Sequence, residues 1–260
     1  MRHEAYPLLI AAGMAAGFVN TLAGGGSHLT LPLLILLGFD PNTANGTNRI
    51  AVLTQNGGAL AAFARHGRSP GRNLLQLLPV SVLGAYLGAR VAVDVPPAVL
   101  KAIVVTVILL TLPVLRLSPG AGSAQPAPRA GMRQLSPLQH AVFFGIAFYA
   151  GFLQAGVGFL ILAAAVPFLG LDLVSANVLK VALILVHTAV ALPVFLSHGQ
   201  VNLPAGLLLG AGSLIGAWIG ARAAIRRGQR FVRAVIVGGI LLSIAALLDV
   251  PGRLSELLHG

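Results

Sequence analysis

Long apolar runs alternate with short polar breaks along almost the whole chain. They cover residues 7–22, 29–39, 42–64, 74–93 and 98–115. A stretch rich in Pro, Gly, Ala and Ser follows at 118–134, with the composition of a linker. The series then begins again over 138–153, 159–169, 173–196, 203–224 and 232–248. A helix crosses the hydrocarbon core of a bilayer with about 20 apolar residues, so several of these runs can span. Lipid cannot satisfy backbone polar groups, so such runs span as helices. The pattern predicts an all-α, polytopic membrane protein. Two runs, 29–39 and 159–169, are too short: eleven residues make about 16 Å of helix against a core of about 30 Å. Each follows a glycine-rich break, the pattern of a re-entrant or discontinuous helix.

The second series repeats the first. A shift of 132 residues places Ala23-Gly24-Gly25-Gly26 on Ala155-Gly156-Val157-Gly158, Asp40 on Asp172 and Ala44-Asn45 on Ala176-Asn177. The same shift places His66-Gly67 on His198-Gly199, and Gly84, Gly88 and Arg90 on Gly216, Gly220 and Arg222. Polar and charged residues take part in the match, which generic similarity between Leu- and Ala-rich helices does not produce. The chain therefore divides into a first repeat, 1–117, a linker, 118–134, and a second repeat, 135–260.

Loop charges orient the two repeats. Arg65, Arg68 and Arg72 flank the loop after 42–64, whereas its partner after 173–196 has only His198. Arg222, Arg226, Arg227, Arg230 and Arg233 follow 203–224, whereas the loop after 74–93 is nearly balanced. Basic loops stay cytoplasmic. The loop near residue 68, the linker and the loop near residue 227 are thus expected inside, and the halves are inverted relative to each other. Inverted repeats with paired broken helices are an architecture of alternating-access transporters.

Composition narrows the function. Of 260 residues, 57% are hydrophobic and only 9% charged, too few charges to cover a soluble surface. The net charge of +11 resides in short loops between apolar runs, so the expected partner is membrane lipid and not nucleic acid. There is no cysteine, which removes disulfides, thiolate metal sites and cysteine nucleophiles. No His-Glu-x-x-His or Gly-x-Ser-x-Gly motif is present, and no carboxylate pair sits in an apolar run, so no enzyme, metal or cofactor is expected. Met1 to Tyr6 does not make a proper signal-peptide n-region, and the first apolar run is expected to remain in the protein. The expected location is the cytoplasmic (inner) membrane, with multiple passes.

The candidate site gathers around the two breaks. Asn20, Gly24, Gly25, Gly26 and Ser27 precede the first short helix; Gln154, Gly156 and Gly158 precede the second. Glycines free backbone N–H groups to turn toward a ligand, and a helix N-terminus adds positive potential. Asn45, Asn48, Arg49, Asn177 and Lys180 lie one to two turns inside the following helices, with Gln55 and His187 deeper at matching positions. Intramembrane cations are costly and mark functional sites; the bland alternative is a cation snorkelling to the interface. Asp40 and Asp172 are better explained as helix N-caps. Gly84/Gly88 and Gly216/Gly220 have the spacing of close helix packing. His28 either titrates or bonds across helices. The set suits a small anion, with an anion channel or a non-transporting receptor or scaffold as alternatives.

These residues resemble the TauE/SafE sulfite exporter family. The resemblance is carried by Gly17-Phe18 through Gly24-Gly25-Gly26, Leu31-Pro32, Ala44-Asn45-Gly46-Thr47-Asn48, the second-half Gly156-x-Gly158, Asp172, Ala176-Asn177 and Lys180, and the Gly-Ala-Arg endings at Arg90 and Arg222. It covers nearly the whole chain. Val157 departs from a usual glycine, and the second short helix is poor in polar residues. The resemblance implies a secondary transporter that exports sulfite, sulfoacetate, or another sulfonate or small organic anion.

Overall fold

The computed structural model describes residues 5–23, 25–117 and 134–220. The regular elements among them are helices: α1 (Ala5–Ala23), α2 (Ser27–Leu36), α3 (Pro41–Arg65), α4 (Gly71–Val93), α5 (Pro97–Leu117), α6 (Pro137–Phe152), α7 (Val157–Leu169) and α8 (Leu173–Ser197), then α9 (Leu203–Gly220). Residue 24, most of the linker, the basic cluster from Arg222 onward and the run expected at 232–248 lie outside the described residues. By length and composition α4, α8 and α9 can each cross a membrane. At 10 and 13 residues, α2 and α7 are the short helices expected.

Local signals place the helix starts. The Asp40 carboxylate accepts from the Asn42 and Thr43 N–H groups ahead of α3, with Pro41 at the first helical position. Asp172 accepts from Val174 and Ser175 ahead of α8. Ser136 and Gln139 close a reciprocal capping box at the start of α6. Each cap supplies acceptors to N–H groups that have no partner inside the helix.

The bonds between loops identify two opposite ends of the molecule. At one end, Asn42 Nδ2 donates to the Ala92 and Val95 carbonyls, and Gln200 Nε2 to the Val93 carbonyl. Leu9 of α1, Leu34 of α2, Ala44 of α3 and Ala205 of α9 share one buried cluster there. At the other end, the Leu135 N–H donates to Gln76 Oε1, and Gln139 Nε2 to the Phe168 carbonyl. The hairpin α1–α2 thus enters from the end where α4 finishes, and α6–α7 from the end where α4 begins. The two hairpins point toward each other, as an inverted repeat requires.

Packing does not follow the order of the chain. α4 lies along α6 and α8, in the second half of the sequence. A Cβ on Gly84 or Gly88 would collide with the Phe144 or Phe148 carbonyl of α6, and one on Gly151 with the Ala85 carbonyl of α4. α9 lies along α1 in the same way: a Cβ on Gly13 or Gly17 would collide with the Leu209 or Ser213 carbonyl, and one on Gly216 with the Met14 carbonyl. The residue numbers rise together in both contacts, so both pairs are parallel. The small-residue spacings seen in the sequence are therefore packing seams. One helix group comprises α1–α3 with α5 and α9, the other α6–α8 with α4, and α3 packs extensively on α8 between them.

Candidate functional site

Both hairpins turn deep in the protein, and their turns touch. Neither α2 nor α7 has a side-chain N-cap. Gly156, at the head of α7, has φ +71, a left-handed conformation that strains any side chain, and a Cβ there would lie 3.0 Å from the His28 ring. A Cβ on Gly25 would lie 3.0 Å from the Phe159 ring. His28 and Phe159 meet edge to face with ring centroids 6.4 Å apart. His28 is fully buried, and its Nδ1 lies 3.2 Å from the Gly25 carbonyl oxygen.

On the first-half side, α3 ties both hairpins together. Asn48 Nδ2 donates to Ser27 Oγ at 3.0 Å, and Thr30 Oγ1 donates to Asn48 Oδ1, fastening the first turn of α2. One residue on, Arg49 is fully buried. Its Nη1 donates to the Ala150 carbonyl at 3.1 Å and to Gln154 Oε1 at 3.2 Å, and its Nη2 donates to the Gly151 carbonyl. The guanidinium lies 4.4 Å from the Phe195 ring centroid, a cation–π contact. Asn45 Nδ2 donates to the Phe152 carbonyl at 2.8 Å. Within the second turn, the Tyr149 hydroxyl donates to the Ala155 carbonyl at 2.6 Å.

The second-half side differs. Lys180 and His187 on α8 are buried, and neither the ammonium nor either imidazole nitrogen has a hydrogen-bond partner among the described residues. α7, with sequence VGFLILAAAVPFL, offers no polar side chain to them. Arg49 Nε, Gln55 Oε1, Asn45 Oδ1 and Asn177 Oδ1 are likewise buried and unpartnered among the described residues. Each described carboxylate, Asp40, Asp94 and Asp172, is exposed. Asp172 holds its own cap: the Ser175 hydroxyl, then the Ser175 N–H, keep its carboxyl below the usual carboxylate range, with a smaller contribution from Arg68.

Most of the residues singled out in the sequence are thus brought together. Ser27, Asn45, Asn48, Arg49, Gln154, Gly25, Gly26 and Gly156 line or brace the meeting point of the two turns. Asn20 packs behind Gly26, where a Cβ would lie 2.7 Å from the Asn20 Cβ. Gly158 is buried in the first turn of α7. Gln55 lies nearly two turns beyond Arg49, and Asn177, half-buried, lies nearer the start of α8. Gly24 is outside the described residues. Thr30, Tyr149, Phe159 and Phe195 were not foreseen. Thr30 follows Ser27 by three residues, on one helical face, and could have been found by that spacing.

A family model described as "Sulfite exporter TauE/SafE" matches residues 9–247. The chain is 31% identical over 246 residues to the "Probable membrane transporter protein ORF9" of a Sinorhizobium species, covering 93% of this chain and 92% of that one. It is 29% identical to a "Probable membrane transporter protein" of Haemophilus influenzae, covering 88% and 89%. It is 28% identical to the "Probable membrane transporter protein YfcA" of Escherichia coli K12, covering 97% and 92%. No solved structure matches. Paired broken helices, inverted halves and a match along nearly the full length agree: the chain belongs to the sulfite exporter TauE/SafE family of membrane transporters.

Proposed function

We propose that the protein is a secondary transporter that exports a small oxyanion, such as sulfite, sulfoacetate or another organosulfonate, across the cytoplasmic membrane. The observation that carries this reading is the burial of Arg49 and Lys180 with every described carboxylate exposed. A buried charge without a counterion is costly, and an anion seated between these groups would relieve that cost. Lys180, His187 and Arg49 Nε have uncommitted hydrogen-bonding capacity, and the N-termini of α2 and α7 add partial positive charge. Asn45, Asn48, Gln55, Gln154 and Asn177 would complete a shell that replaces lost water, with Ser27 and Asn20 on the α1–α2 side. The linker over 118–134 and the turn after α3 would face the cytoplasm, joining repeats 1–117 and 135–260. The central polar groups are buried, so transport requires the two helix groups to move against each other.

Counterflow in proteoliposomes tests the reading. Sulfite, sulfoacetate and a carboxylate control are loaded on one side and tracer on the other. Tracer accumulation driven by sulfite or sulfoacetate supports a carrier. Fast dissipative flux without counterflow means a channel, and binding without flux means a receptor.

A further inference from the structure

We propose that Arg49 is a latch between the two helix groups, and that an oxyanion opens it by drawing the guanidinium away from the carbonyl end of α6. This rests on the anion-transport reading above.

The last carbonyls of a helix have no partner within it. At the end of α6 they are served from a different helix. Arg49 donates to the Ala150 and Gly151 carbonyls, and Asn45 to the Phe152 carbonyl. Three consecutive acceptors of α6 are thus held by two side chains one turn apart on α3. The ring beneath the guanidinium, Phe195, belongs to α8. The partners of Arg49 all lie in the group α4, α6–α8, whereas Arg49 itself lies in the other. It is a tie across the seam.

The tie is replaceable because its partners are neutral. A carbonyl gives a cation an ordinary ion–dipole bond. An oxyanion adds a full opposite charge and a two-pronged geometry that matches the fork of guanidinium donors, and so binds it more strongly than a neutral carbonyl does. Arg49 Nε is already without a partner among the described residues, so one prong of the fork is uncommitted. Once the anion holds Arg49, the carbonyls at 150 and 151 lose their donors, Gln154 Oε1 loses its tie to α3, and only the Asn45 bond to the Phe152 carbonyl still joins α3 to the end of α6. Site occupancy and loosening of the α6–α7 turn become one event. The tie is one-sided: the position that matches Arg49 in α8 is Val181.

The absence of native cysteine makes a direct test possible. Ala155→Cys places one thiol in the α6–α7 turn, where Ala155 is fully buried. Its alkylation by N-ethylmaleimide is timed in proteoliposomes, with and without sulfoacetate, which does not consume maleimide. We expect slow labelling in the Ala155→Cys protein and a several-fold acceleration by sulfoacetate. Adding Arg49→Gln should speed labelling without anion by roughly tenfold, the scale of one lost charged hydrogen bond, and sulfoacetate should then add nothing. Phe195→Leu, which leaves every donor in place, should give an intermediate rate and carries the test if Arg49→Gln does not fold. Parent-like rates in both backgrounds without anion overturn the latch. Sulfoacetate counterflow with unchanged labelling overturns its release by anion. Absence of both counterflow and acceleration removes sulfoacetate as a substrate and the release step with it, while the anion-free rates still decide the latch.

Discussion

Asn48 and Lys180 occupy matching positions in the two repeats, and their surroundings are opposite. Asn48 is bonded to Ser27 and Thr30 of the short helix beside it. Lys180 is equally buried and has no hydrogen-bond partner among the described residues, and the short helix of its own repeat, α7, carries no polar side chain. The fold is repeated, but the chemistry of its centre is not.

Lys180 should therefore behave as a functional rather than a structural group. Lys180→Met removes a buried, unpaired charge and keeps the volume. We expect the variant to be more stable by at least ~1 kcal/mol and to lose counterflow. Thermal unfolding in detergent and counterflow, measured on the same preparation, check this. A less stable Lys180→Met would show that the ammonium has a structural partner.

Arg49 should behave differently, because three hydrogen bonds and a ring contact depend on it. Arg49→Ala leaves two carbonyls of α6 without donors and should cost about 3 kcal/mol together with transport. Arg49→Lys should recover part of the transport, since lysine supplies charge without the fork. Normal counterflow by Arg49→Ala at normal folded yield would remove Arg49 from the site.

The glycine seams make a contrast within one helix pair. A Cβ on Gly88 would collide with the Phe148 backbone, whereas one on Gly145 would meet nothing within 4 Å. Gly88→Ala should destabilise by about 1–3 kcal/mol. Gly145→Ala should be neutral or stabilise by up to ~1 kcal/mol, through helix propensity. Equal effects on melting temperature would contradict the parallel α4–α6 contact.

Topology can be read from single thiols. Ser69, in the turn after α3, and His198, in the turn after α8, are both exposed. Ser69→Cys should be labelled by an impermeant maleimide only in inside-out vesicles, and His198→Cys only in right-side-out cells. Labelling of both from one side would refute the inverted arrangement.

Asp172 gives a pH dependence outside the membrane core. Its folded pKa is depressed, chiefly by the Ser175 hydroxyl. Its contribution is therefore present above the ordinary carboxylate pKa and is lost as pH falls through the lower, folded value. Asp172→Ala should cost about 1 kcal/mol at neutral pH, the usual scale of a lost cap. That difference should shrink on acidification below about pH 4. Melting curves of both proteins from pH 7 to pH 3 check it.

The helices were legible in the sequence because their signals are local. Asp40-Pro41 and Asp172 mark helix starts by their own side chains, and the first long polar-lined run, expected over 42–64, is found at Pro41–Arg65. The glycine breaks likewise located the turns that meet. The exchange of α4 and α9 between groups was not legible. Gly84, Gly88, Gly216 and Gly220 announce a close neighbour, but a backbone carbonyl carries no residue identity, so the neighbour stays anonymous. The partners of Arg49 were hidden for the same reason, and Phe195 is one aromatic in an apolar run with nothing to distinguish it.

The crossing of α4 and α9 into the opposite group bears on how the protein is made. When α1–α3 leave the ribosome, the helix that seals the face of α1 lies near the far end of the message, while α4 emerges with no α6 to lie against. Until α6 arrives the glycine face of α4 is incomplete, and until α9 arrives so is that of α1. Neither half completes its own glycine seam. Separately synthesised halves would be degraded alone and would assemble only when produced together, each lending the other one helix.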